Sequence, residues 1–203
     1  GPALVIVPSA FGVAADLQAQ MLELAASAAC VACLDPFFRN APGVIPYTDM
    51  ASVMARLSTL DAARLYDDLQ AAIAWARVQP GVTGVYVLGI CFGGPYALKA
   101  AIDGIVDGAA TWHGTRMQDL LAGAAAIRCP LRLHFGDRDP FVPSAAVDAI
   151  RAALPSGIDA QVVVHAGATH GFTHRGAPAA YQPAAEQAAM QAVQALLAAG
   201  GGR

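Results

Sequence analysis

Cys91 lies in the stretch GICFGG, with Gly89 and Gly93 each two residues away and the apolar run GVYVLGI immediately before it. G-x-C-x-G is the thiol form of the nucleophile elbow, in which a strand turns sharply into a helix and the central side chain stands clear of the sheet. The central residue must adopt a strained backbone, and the flanking positions must lack a Cβ so that strand and helix can meet. The helix that follows offers free N–H groups and a dipole to a thiolate or an oxyanion. The Phe92 amide is then one expected oxyanion donor, and a second is expected near Ala10 in VPSAFGV, after the first strand.

A thiol nucleophile needs a base, and the base needs an orienting acid. HFGDRDPFVP ends one strand with Asp139, and HAGATHGFTH ends the next with His170. Both follow the carboxyl ends of strands, the edge at which open α/β sheets bind ligands. The order nucleophile, acid, histidine gives a candidate triad of Cys91, Asp139 and His170. Asp137 competes for the acid's role, but Asp139 leaves two residues of loop for the turn, and Asp137 is better placed to cap or pair locally.

These residues need a scaffold, and the pattern supplies one. Strand-like runs at 3–8, 31–34, 84–90, 107–114, 130–136 and 159–166 alternate with helical stretches at 15–29, 60–78, 93–102, 116–126, 143–154 and 183–199. Apolar strands separated by helices predict an α/β fold, a mostly parallel sheet of about six strands with helices on both faces, in a single domain spanning 1–203. Residues 36–48, with three prolines, read as a loop.

Composition narrows the function. The 203 residues are 56% hydrophobic and 13% charged, with a net charge of −3 and no Lys/Arg cluster, so no nucleic-acid partner is expected. No uncharged apolar run reaches membrane-span length and no basic leader opens the chain, which reads as a cytoplasmic protein. Cys30 and Cys33 form a CxxC, but on a strand residues three apart face opposite ways, and no second CxxC completes a zinc site. They and Cys129 read as packed thiols in a reducing compartment. His170 and His174 are four apart but separated by Gly171, so no metal is expected, and no motif calls for a cofactor. His113, leaving a strand at the ligand-binding edge, is a candidate substrate contact. His134 and His165 lie within strands and read as hydrogen-bonded core or edge residues. Phe37, Phe38, Tyr47, Trp112 and Phe172 either line a pocket or fill the core.

GICFGG, GDRDPFVP and ATHGF resemble the dienelactone hydrolase family of α/β-hydrolases, and the likeness extends through FGV at 11–13, RNAPG at 39–43 and LQAAIAWARVQP at 69–80. The resemblance implies a Cys–His–Asp hydrolase of small lactones or esters: Cys91 attacks, His170 is the base and Asp139 orients it. Arg39 falls where enzymes of this family acting on dienelactone keep an arginine for the substrate carboxylate. Their second such arginine corresponds to His174, with Arg175 one residue beyond, so an anionic substrate is expected. Ser9 stands where the family carries a glutamate implicated in switching the cysteine on. Two readings of other classes stand beside this one: a non-catalytic ligand-binding scaffold, and a redox sensor at Cys91.

Overall fold

A computed structural model describes residues 1–201. Six strands form one parallel sheet: β1 (Pro2–Val7), β2 (Cys30–Cys33), β3 (Gly84–Ile90), β4 (Gly108–Trp112), β5 (Leu131–Gly136) and β6 (Ala160–His165), in the order β2-β1-β3-β4-β5-β6. The α-helices are α1 (Ala15–Ala25), α2 (Met50–Ser58), α3 (Ala62–Arg77), α4 (Gly94–Ile102), α5 (Ser144–Ala153) and α6 (Pro183–Gly200), and the helical stretch expected at 116–126 is a 3₁₀ helix over Met117–Ala126. Every residue of β1, β3, β4 and β5 is buried, because both faces of the sheet are covered.

The alternation along β1 shows the two layers. Ala3, Val5 and Val7 pack with Leu69 and Ile73 of α3, Leu98 of α4 and Ile150 of α5. Leu4 and Ile6 face the other way, onto Leu17 and Leu24 of α1 and Val193 and Leu197 of α6. Each such aliphatic side chain stabilises the fold by roughly 1.5–3 kcal/mol on burial. Cys30 and Cys33 fall in opposite layers, as the strand period requires, and burial pushes the Cys33 thiol up to about 12.

The fold corrects two boundaries and adds one element. α1 stops at Ala25 rather than running to residue 29, and β2 begins at Cys30. Met50–Ser58, given no element by the sequence reading, is helical; the Asp49 carboxylate caps it by accepting from the Ser52 N–H at 3.0 Å. Since all six strands are parallel, β1, β3, β5 and β6 send their exits, toward Ala10, Cys91, Asp139 and His170, to one edge of the sheet.

Candidate active site

Cys91 leaves β3 with φ at +57°, a left-handed conformation that costs a non-glycine residue energy and turns its side chain off the strand. A Cβ on Gly89 would stand 2.3 Å from the Gly93 carbonyl oxygen, and one on Gly93 would stand 2.4 Å from that of Val7. Any side chain at either place would push β1, β3 and α4 apart, which is the physical requirement behind the motif.

The loop after β6 brings His170 back over the elbow, with Nε2 3.2 Å from Cys91 Sγ. On the other side of the ring, Nδ1 is 2.7 Å from Asp139 Oδ2. The Asp139 carboxylate is fully buried, and its other oxygen accepts from the Phe141 N–H at 2.8 Å. Asp137 instead accepts from the Gly167 N–H and so closes the loop that carries His170. The imidazole is flanked edge-on by Phe141 and His113, each centred 4.9 Å away. Burial alone would depress the His170 pKa, but the bonds to Asp139 and Cys91 outweigh it and push it up to about 10.

A cavity of about 560 Å³ opens over this pair. Ala10 and Phe92 both line it, and the Ala10 N–H donates to no group among the described residues. Its remaining surface is mostly apolar: Phe11 and Phe141 from loops, and Met50, Val53, Met54 and Leu57 from α2. A thiol, a histidine and a carboxylate in hydrogen-bonded series, at the mouth of an apolar cavity, can carry out acyl transfer.

The family model described as "Dienelactone hydrolase family" matches residues 1–200. The chain belongs to the dienelactone hydrolase family. It is thus a lactone or ester hydrolase with the α/β-hydrolase fold. It is 30% identical over 178 residues to a carboxymethylenebutenolidase of Pseudomonas putida, covering 84% of this chain and 75% of that one. A carboxymethylenebutenolidase of Pseudomonas sp. strain P51 is 27% identical over 186 residues, covering 88% and 76%. Among solved structures, a dienelactone hydrolase-like promiscuous phosphotriesterase from metagenomic libraries superposes with a TM-score of 0.79 at 24% identity, covering 98% of this chain and 86% of that one.

Within this family member, several side chains named as substrate contacts lie elsewhere. Arg39 does not reach the cavity. Its guanidinium forms a two-pronged pair with Asp68 of α3 over a separate surface hollow, and stacks on the exposed Phe38. Arg175 also points away, held by Glu23 and the buried Glu186 behind the histidine loop. A carboxylate already supplies each guanidinium with its best acceptor, so neither is offered to a ligand. His113 is wholly buried under the site, its Nε2 2.9 Å from the Thr173 hydroxyl, and burial depresses its pKa well below the ordinary value. Ser9 is buried as well and does not line the cavity; its carbonyl accepts from the Gly12 N–H.

His174 does line the cavity, with its Nδ1 3.3 Å from the Tyr47 hydroxyl, and burial lowers its pKa to about 4. Tyr47 gives its proton to Asp16, at 2.8 Å from both carboxylate oxygens, so at the His174 contact the imidazole Nδ1–H donates. His134 and His165 bond to each other at 2.9 Å. Of the five candidate aromatics only Tyr47 lines the cavity; Phe37, Trp112 and Phe172 are core, and Phe38 is on the surface. The cavity residues missing from the sequence reading are chiefly those of α2. Their signal was present: Asp49-x-x-Ser52 as a cap, and apolar residues at 50, 53, 54 and 57.

Proposed function

We propose that the protein hydrolyses small neutral lactones or carboxylic esters through a thioester on Cys91. The observation that carries this reading is the unbroken series Sγ–His170–Asp139 opening onto the apolar cavity. The proton shared by Cys91 and His170 sits on the imidazole as the sulfur attacks the carbonyl carbon. An S–C bond forms, and the carbonyl electrons move to oxygen, which the Ala10 and Phe92 amides receive. Collapse breaks the C–O bond, and the leaving alkoxide takes the proton from His170 Nε2. The now neutral imidazole removes a proton from water, and the resulting hydroxide attacks the thioester. Collapse of the second intermediate releases the acid and returns sulfur and imidazolium to their starting state. Asp139 holds Nδ1–H throughout, so that Nε2 always faces the reacting atoms.

The experiment is acid quenching during turnover of p-nitrophenyl butyrate, followed by peptide mass spectrometry. A butyryl group on Cys91 that appears and decays at the turnover rate is expected. Steady turnover with the acyl group on another residue, or on none, would overturn the assignment.

The neutral preference rests on the apolar lining and on the engagement of Arg39 and Arg175 with carboxylates. Among the described residues the one arginine that lines the cavity, Arg116, is highly exposed and paired with Asp119. Arg39→Ala should leave KM for a carboxylated lactone and for a neutral ester unchanged to within about twofold. A selective rise in KM for the carboxylated substrate would return Arg39 to the site.

A further inference from the structure

Arg56 of α2 is only 5% exposed, yet among the described residues it forms no ion pair. Burying a guanidinium without a carboxylate is costly. The charge is met by backbone carbonyls instead. Nη1 donates to the Ala10 carbonyl at 3.0 Å, and Nη2 to those of Gly43 at 2.8 Å and Pro42 at 3.4 Å. The guanidinium carbon lies 4.9 Å from the centre of the Phe37 ring. Three segments distant in sequence therefore meet on one planar cation: the turn after β1, the loop at 42–43, and α2.

The turn after β1 is tightly made. The Gly12 N–H donates to the Ser9 carbonyl at 3.0 Å, and Gly12 has φ +87°. A Cβ there would stand 2.7 Å from the Gly43 oxygen and 3.3 Å from Arg56 Nη1. Within this turn the Ala10 carbonyl is taken by Arg56, while the Ala10 N–H stays free at the cavity wall. The Ala10 N–H shares a peptide plane with the Ser9 carbonyl, which the Gly12 N–H holds, and Arg56 holds the next plane through the Ala10 carbonyl, so the peptide units on both sides of Ala10 are pinned and the residue cannot swing its amide out of place.

We propose that Arg56 is a positioning residue for the Ala10 oxyanion donor, pinning the turn that carries that amide to the helix that walls the cavity. The inference rests on the reading of Ala10 and Phe92 as the oxyanion hole. It assigns Arg56 no contact with substrate, so its loss acts on stabilisation of the oxyanion more than on substrate binding.

The test compares p-nitrophenyl butyrate with its thiono analogue, whose C=S sulfur is a weak hydrogen-bond acceptor and fits an oxyanion hole poorly. The wild-type protein should strongly favour the oxygen ester. In Arg56→Met, kcat/KM for the oxygen ester should fall about 10²-fold, the scale of losing one oxyanion donor, while the thionoester rate changes far less. The ratio of the two rates collapses. Arg56→Lys, which keeps the charge but loses the fork, should fall between. Melting curves show whether each variant is folded, and if Arg56→Met is not, Arg56→Gln reads the same ratio. Equal losses for both substrates in a folded variant would reduce Arg56 to an anchor for α2 and overturn the proposal. A wild-type protein indifferent to the thiono substitution would overturn the oxyanion-hole reading itself, and the role of Arg56 with it.

Discussion

Cys91→Ala will lower ester turnover by about 10⁴-fold or more, and the melting temperature will move by no more than a few degrees. The first figure follows from the chemistry: without the sulfur no thioester forms, and what remains is unassisted attack by water beside the oxyanion donors. The second follows from position. Cys91 lies at the strand exit, partly buried, and among the described residues its thiol meets only His170 in a hydrogen bond. Alanine keeps the same left-handed backbone strain, so the elbow closes as before. For a chain of this length, 1 kcal/mol corresponds to roughly 2–4 °C. Turnover and melting curves on the same preparation check both halves. Wild-type turnover by a folded Cys91→Ala variant would remove the nucleophile from the mechanism. A collapse of the melting temperature would show the thiol to be structural.

Asp139→Asn preserves the volume of a fully buried side chain and removes its charge. Its Oδ1 can still accept from the Phe141 N–H, so the loop is held. The amide, however, can present a donor to His170 Nδ1 and so favour the tautomer with its proton on Nε2, the wrong one for a base. We expect kcat/KM to fall by about 10³–10⁴-fold. Stability will also change its pH dependence. In the folded protein the His170 pKa is raised from 6.5 to about 10, opposed by burial and driven by Asp139 and Cys91. A raised folded-state pKa means that the imidazolium stabilises the fold fully below about pH 6.5, the unfolded value, and that this contribution is lost as pH rises through 10. Without the Asp139 charge the raised value drops toward the unfolded one, and the decline in melting temperature between pH 6.5 and 10 becomes shallower. Identical slopes for the two proteins would show that Asp139 does not hold the histidine's proton.

What could be read from the chain alone was local or was imposed by the strand period. The elbow is a continuous stretch in which two glycines leave room for backbone on either side of Cys91, so the motif carries its own geometric reason. The six strands showed as apolar runs because both sheet faces are covered, and their common direction sent the exits toward Ala10, Cys91, Asp139 and His170 to one edge. Counting residues past the strand end separates Asp139 from Asp137, and in the loop Asp139 bonds His170 while Asp137 bonds Gly167.

The direction of the long side chains was not legible. Arg39 sits in a loop and Arg175 beside a cavity residue, but each stem has several rotatable bonds, and each guanidinium goes to the nearest carboxylate. For Arg39 that is Asp68, 29 positions away, and Arg175 is shared between Glu186, 11 positions away, and Glu23, 152 positions away. No spacing rule encodes such pairs, because they form only once α1, α3 and the histidine loop have packed. Helix α2 is signalled by its cap and apolar spacing, but its place at the site is not. The three prolines before it announce a loop, and its apolar face has no evident partner until the turn after β1 and Phe37 are in place beside it. Arg56 on that helix would be an ordinary surface cation by residue type. Only the tertiary structure buries it, against carbonyls that no sequence pattern marks as its partners.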